Sequence, residues 1–115
     1  ADDLLAILKE DGHYVEFSRY TKHIEAWEQF YPEERFLFCF MEDIKNRPGW
    51  ILDQVCKHLG VPNQGGWDKE TLEQKIFSSK PMEMPDAVRD YLRQELDEEL
   101  QALFGRFCDK ISAWT

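Results

Sequence analysis

One short run constrains this chain more than any other. Phe36, Leu37, Phe38, Cys39 and Phe40 are five consecutive apolar residues, preceded by Glu33-Glu34-Arg35 and followed by Met41 and the pair Glu42-Asp43. The run is too short for a helix and rich in aromatics, so it predicts a β-strand over residues 36–40. Because it is apolar on both alternating sets of positions, it reads as a strand of a parallel sheet covered on both faces. A strand cannot satisfy its own backbone N–H and C=O groups. Every other periodic segment here has a helical period, so its neighbours in a sheet are expected from outside these residues. The expected fold class is therefore α/β, mostly helical with one parallel-type strand, the C-terminal part of a larger α/β unit.

The helical segments follow from spacing and punctuation. Leu4, Leu5, Ile7 and Leu8 make one stripe over residues 1–10, stopped by Asp11-Gly12. Ser18 is placed to cap a helix over residues 18–30, in which Tyr20, Ile24, Trp27 and Tyr31 recur, until Pro32 ends it. Pro48 opens another helix with Trp50, Ile51, Val55 and Leu59 on one face, and Gly60 is its expected left-handed terminator. Asp68 caps a short helix through Leu72 and Ile76. Residues 77–84 read as irregular. From Pro85-Asp86 a long helical stretch buries Val88, Tyr91, Leu92, Leu96, Leu100, Leu103 and Phe104; a break is expected near residues 95–97, and Gly105 closes it.

Composition narrows the function classes. The net charge of −9 disfavours a nucleic-acid partner, because phosphates require clustered Lys and Arg. Between Glu83 and Glu99 seven acids stand against two arginines, which reads as a solvated helix face. No apolar stretch is long enough for a transmembrane segment. Cys39, Cys56 and Cys108 lack metal-ligand spacing; Cys39 and Cys56 read as buried thiols, and the odd count points to a reducing, cytoplasmic setting, although one disulfide with one free thiol fits a secreted protein equally well; a targeting segment in a longer parent would instead place it in the Golgi lumen or an organelle. The chain starts at Ala1 rather than Met, so Ala1 is expected to be a processed end or the edge of a longer protein. No metal set and no catalytic triad order is present in the sequence.

Several pieces together resemble a known family. Tyr20-x-x-His23-x-x-x-Trp27, then Phe30-Tyr31-Pro32-Glu33, the apolar run, Glu42-Asp43-Ile44, Pro48 and Leu59-Gly60-Val61 resemble PAPS-dependent sulfotransferases in order and spacing. Lys75-x-x-x-Ser79-Lys80 before Pro85, and Leu103-Phe104-Gly105-Arg106 with Trp114, are similar to the closing segments of the bacterial and carbohydrate members. The resemblance implies the C-terminal portion of a single sulfotransferase-like domain over residues 1–115, of P-loop-like fold, with the N-terminal nucleotide-cradle half absent. It implies a part in moving sulfonate from PAPS (3′-phosphoadenylyl sulfate) to a hydroxyl or amine acceptor. PAPS would be the cofactor of a full-length parent rather than of this segment alone. The alternative is a non-catalytic sulfotransferase-like subunit with a structural or docking role in a larger assembly. The expected partner is the missing N-terminal half, or another protein chain, covering the strand edges.

The same resemblance supplies the candidate site. Lys80 and Ser79, with Lys75 nearby, would contact a phosphate of PAPS, although the Gly and Arg of the family's K-G-R are here Pro81 and Met82. Tyr14 and Tyr20 would line an acceptor pocket. Tyr20, His23 and Trp27 share one helical face and read as packing against the absent sheet. Glu42 and Asp43 read as helix-capping or ion-paired rather than as catalytic acids. No catalytic residue and no metal ligand is assigned.

Overall fold

The computed structural model describes residues 2–114, apart from the side chains of Asp2 and Ala113. Its elements are α1 (Asp2–Glu10), α2 (His13–Phe17), α3 (Tyr20–Glu28), α4 (Met41–Asn46), α5 (Pro48–Leu59), α6 (Lys69–Glu73) and α7 (Asp86–Phe107). Short 3₁₀ turns occupy Glu33–Arg35 and Cys108–Trp114. The chain forms two compact units, Ala1–Phe30 with Pro81–Thr115, and Tyr31–Lys80.

The expected strand is not formed. Among the described residues there is no strand and no sheet. Phe36 (φ −102°, ψ 138°) and Phe40 (φ −104°, ψ 143°) have extended backbone, but the run pairs into no ladder. An extended backbone becomes a strand only through the hydrogen bonds of a neighbour. Nor is the run covered on both faces. Phe40 is buried, Phe36 and Phe38 are half-buried with their rings stacked at 6.1 Å, and Leu37 and Cys39 are exposed. The five residues therefore behave as a one-sided extended link, and the α/β, P-loop-like reading of this segment is corrected to an all-helical one.

In the unit built from the two ends of the chain, α7 is the organising element. Val88 and Leu103 on α7, Val15 on α2 and Ile111 in the last turn are buried. Lys9 of α1 stands over the Tyr91 ring at 5.5 Å. The expected break near residues 95–97 does not occur, because no Gly or Pro interrupts the run. Gly105 lies inside the helix, which ends instead at Cys108 with φ 46°.

Packing of α3 against α7 is set by two polar contacts. The Thr21 backbone N–H donates to Glu99 Oε1 at 2.7 Å, and the Arg106 guanidinium pairs with the Glu28 carboxylate. Both pairs span 78 residues of sequence. Seven residues on one helix thus match seven on the other, so α3 and α7 run in the same direction in register over about 10 Å. Ser18 does not cap α3. Its hydroxyl donates back to the Tyr14 carbonyl at 3.2 Å, closing the short helix α2 that the sequence pattern did not reveal. The tertiary carboxylate of Glu99 does the capping in its place.

In the second unit α4, α5 and α6 pack in sequence order, with Phe40 as its buried apolar residue among those described. Glu42 and Asp43 occupy the first turn of α4, where the helix dipole favours acids, and Asp43 accepts from Arg47 Nε at 2.8 Å. Arg47 also stacks on Trp50 at 3.7 Å. Pro48 begins α5 and Gly60 ends it at φ 70°, with Val61 N–H donating to the Cys56 carbonyl at 3.0 Å. A Cβ at Gly60 would touch nothing within 4 Å, so the strain of substitution is purely conformational. Gly60→Ala is expected to destabilise by about 1 kcal/mol in urea unfolding; a stability gain would contradict the left-handed cap.

Candidate functional site

The residues singled out for anion binding lie in the second unit, on the segment that follows α6. Asp68 accepts from the Thr71 backbone N–H at 2.7 Å and from its hydroxyl at 2.8 Å, so α6 starts where the sequence predicts. It stops at Glu73 rather than reaching Ile76, which is exposed. Beyond it, Lys75, Ser79 and Lys80 are exposed and make no hydrogen bond or ion pair with a described residue. Phe77 between them is fully exposed with φ 56°, an unfavourable backbone for an aromatic residue, which turns the chain sharply just before Ser79. The structure does not gather the three side chains into a closed site. It presents two ammonium groups and a hydroxyl on one short open segment. The unit that carries them has eight acidic and seven basic residues, whereas the other unit has fifteen acidic against seven basic. An anion is repelled less by the former.

Tyr14 and Tyr20 separate. Tyr14 lies exposed on α2, while Tyr20 borders an open groove of about 380 Å³ between α3, α7 and the final turn. Apolar side chains dominate the groove: Leu92, Leu96, Leu100, Leu103 and Trp114. Tyr20 and Trp27 are 50% and 59% exposed, so the stripe expected to be packed is open to solvent among the described residues. His23 Nε2 lies 3.2 Å from the Glu16 carbonyl, a local tie rather than a catalytic contact.

Glu16 gathers the cations around that helix junction. Lys22 Nζ and Arg19 Nε each approach its carboxylate at 3.0 Å, and the Lys22 bond, then the Arg19 bond, hold its pKa below the ordinary value. The Thr71 donors do the same for Asp68. A carboxyl whose folded pKa is depressed favours the folded state above its unfolded pKa, and that contribution is lost as pH falls through the folded value. Structure around α6 and the α2–α3 junction is therefore expected to hold from pH 8 to about 5 and to loosen below about 4. The Thr71 and Arg19 amide resonances, followed against pH, check this; loosening on raising the pH would contradict it.

Cys39 and Cys108 are exposed and Cys56 is half-buried, so the reading of Cys39 as a buried thiol is corrected: it sits on the open side of the extended link. No group of three or more His, Cys, Asp or Glu among the described residues could hold a metal. No described helix is long and apolar enough to cross a membrane. Glu99, missed in the sequence, proves structurally central. Its signal was its place four residues before Leu103 on the buried stripe of α7, where an acid is anomalous.

Comparison with known proteins agrees with the sequence resemblance. The family model described as "Sulfotransferase domain" matches residues 8–106. No curated protein and no solved structure matches the chain.

Proposed function

This chain belongs to the sulfotransferase family, and from that membership we propose that it takes part in moving sulfonate from PAPS to a hydroxyl or amine acceptor. The observation that carries the proposal is the family match over residues 8–106. The open Lys75, Ser79 and Lys80 segment supports it from the chemistry of the donors.

Sulfonate transfer spreads negative charge over the sulfonate and the bridging oxygen, so positioned cations and N–H or O–H donors perform most of the work. PAPS supplies the sulfonate and leaves as adenosine 3′,5′-bisphosphate. In this reading Lys80 and Ser79, with Lys75, contact one phosphate and orient the nucleotide. Their exposed, unpaired state suits a dianionic group. Tyr14 and Tyr20 are assigned to the acceptor by the same family resemblance. No group of this chain is assigned as the base that removes the acceptor proton. The nucleotide cradle belongs to a further stretch of polypeptide, and the chain acts as the C-terminal portion of a sulfotransferase domain, of the kind found in the bacterial and carbohydrate members.

Lys80→Ala in the natural full-length polypeptide should weaken binding of adenosine 3′,5′-bisphosphate by about tenfold or more, the effect of losing one charge-assisted bond to phosphate. Calorimetry measures this. An unchanged affinity removes Lys80 from the site.

One observation favours a second reading, a non-catalytic docking subunit. In the first unit Tyr14, Phe17, Tyr20, Trp27 and Phe30 are all about half exposed or more. Such a surface needs a covering polypeptide, whether or not chemistry occurs. A full-length protein that binds no bisphosphate yet copurifies at fixed stoichiometry with one defined partner would favour this reading.

A further inference from the structure

The leucine face of the groove beside α7 is used by neither reading above, which take only Tyr20 from its edge. Leu92, Leu96, Leu100 and Leu103 line it on one side and Tyr20 and Trp114 on the other, and its volume of about 380 Å³ falls in the range of small-molecule sites. Two arginines stand at its border, Arg89 and Arg93. Arg89 is occupied, donating to Asp86 at 2.8 Å and to the Met84 carbonyl at 3.4 Å. Arg93 is not. It makes no hydrogen bond or ion pair with a described residue, although Asp90 and Asp97 lie three and four residues away on the same helix. Asp97 accepts from Gln101 instead, and Glu99 is committed to the Thr21 N–H. In a unit with fifteen acids against seven bases, an open guanidinium beside an apolar trough is the local exception.

We infer that this groove binds a single-chain amphiphile with an anionic head. The planar guanidinium of Arg93 matches a carboxylate or sulfate by two parallel hydrogen bonds. The tail lies along the leucines of α7 against Tyr20 and Trp114, where its methylenes leave water for apolar contact. Charge selects a free molecule over an anionic bilayer. One head group meets Arg93 at contact distance, but a charged plane would meet the exposed acids of the same unit, Glu83, Asp86, Asp90, Glu95 and Glu98, and be repelled.

The test titrates the protein with three octyl amphiphiles below their micelle-forming concentrations: octyl sulfate, octyl glucoside and octyltrimethylammonium. Binding is read from the methyl resonances of Leu92, Leu96, Leu100 and Leu103. Octyl sulfate is expected to bind saturably and most tightly, with shifts confined to those leucines. Arg93→Glu, an exposed change that leaves the core intact, should weaken octyl sulfate by about tenfold or more and leave octyl glucoside within about twofold. Equal binding of the three heads, insensitivity to Arg93→Glu, or no saturable binding would each overturn the assignment. So would tight binding to phosphatidylglycerol vesicles that exceeds binding of the free amphiphile. Because the readout is binding alone, the result is independent of sulfonate transfer.

Discussion

Leu103→Ala is expected to lose about 2–5 kcal/mol of the stability of the unit built around α7. Leu103 is 3% exposed, and its buried apolar company among the described residues is Val15, Val88 and Ile111. Truncating it removes contacts from α7 and leaves a void that so sparse a core has few side chains to fill. Set against the roughly 5–15 kcal/mol of an ordinary domain, that loss is a large fraction. Chemical unfolding followed by circular dichroism measures it. Phe104→Ala, at a 41% exposed neighbouring position, supplies the contrast and should cost far less. Equal losses at the two positions would show that α7 does not present the face described.

Glu99→Ala is the second large effect, expected at about 1–3 kcal/mol. The substitution strands the Thr21 N–H at the start of α3 and removes one of the two contacts that hold α3 in register with α7. Glu99→Gln keeps a carbonyl acceptor and should recover part of the loss. The site-specific readout is amide exchange at Thr21, which should quicken in the Ala variant and less so in the Gln variant. The Arg106–Glu28 pair at the other end is only partly buried, so Arg106→Ala is expected to cost less, up to about 1 kcal/mol. Unchanged exchange at Thr21 in Glu99→Ala would contradict the tertiary cap.

What the sequence revealed, and what it concealed, divides along local and long-range physics. Pro48, Gly60 and Asp68 act through their own backbones and nearest neighbours, and each does in the fold what its residue type dictates. Glu99 is the opposite case. Its partner is 78 residues away, so nothing within its own helix distinguishes it from the solvated acids around it except its place on the stripe. Ser18 had two local options, capping forward or bonding back to Tyr14, and composition does not choose between them. The run from Phe36 to Phe40 misled for a related reason. Its extended backbone was legible, but a strand is a property of two segments, and no second one pairs with it among the described residues. For the site, Ser79 and Lys80 were legible as part of an irregular segment, Lys75 was expected inside the helix that in fact stops at Glu73, and the role of all three came through family resemblance alone. Arg93 was not legible, because its distinction is the absence of a bond that its neighbours had the chance to make.

Transfer of labelled sulfonate from PAPS, assayed with the natural full-length polypeptide against a panel of hydroxyl and amine acceptors, tests the central claim most directly. The account predicts label on at least one acceptor class, with transfer reduced by Lys80→Ala. A protein that neither transfers the label nor binds adenosine 3′,5′-bisphosphate would contradict it.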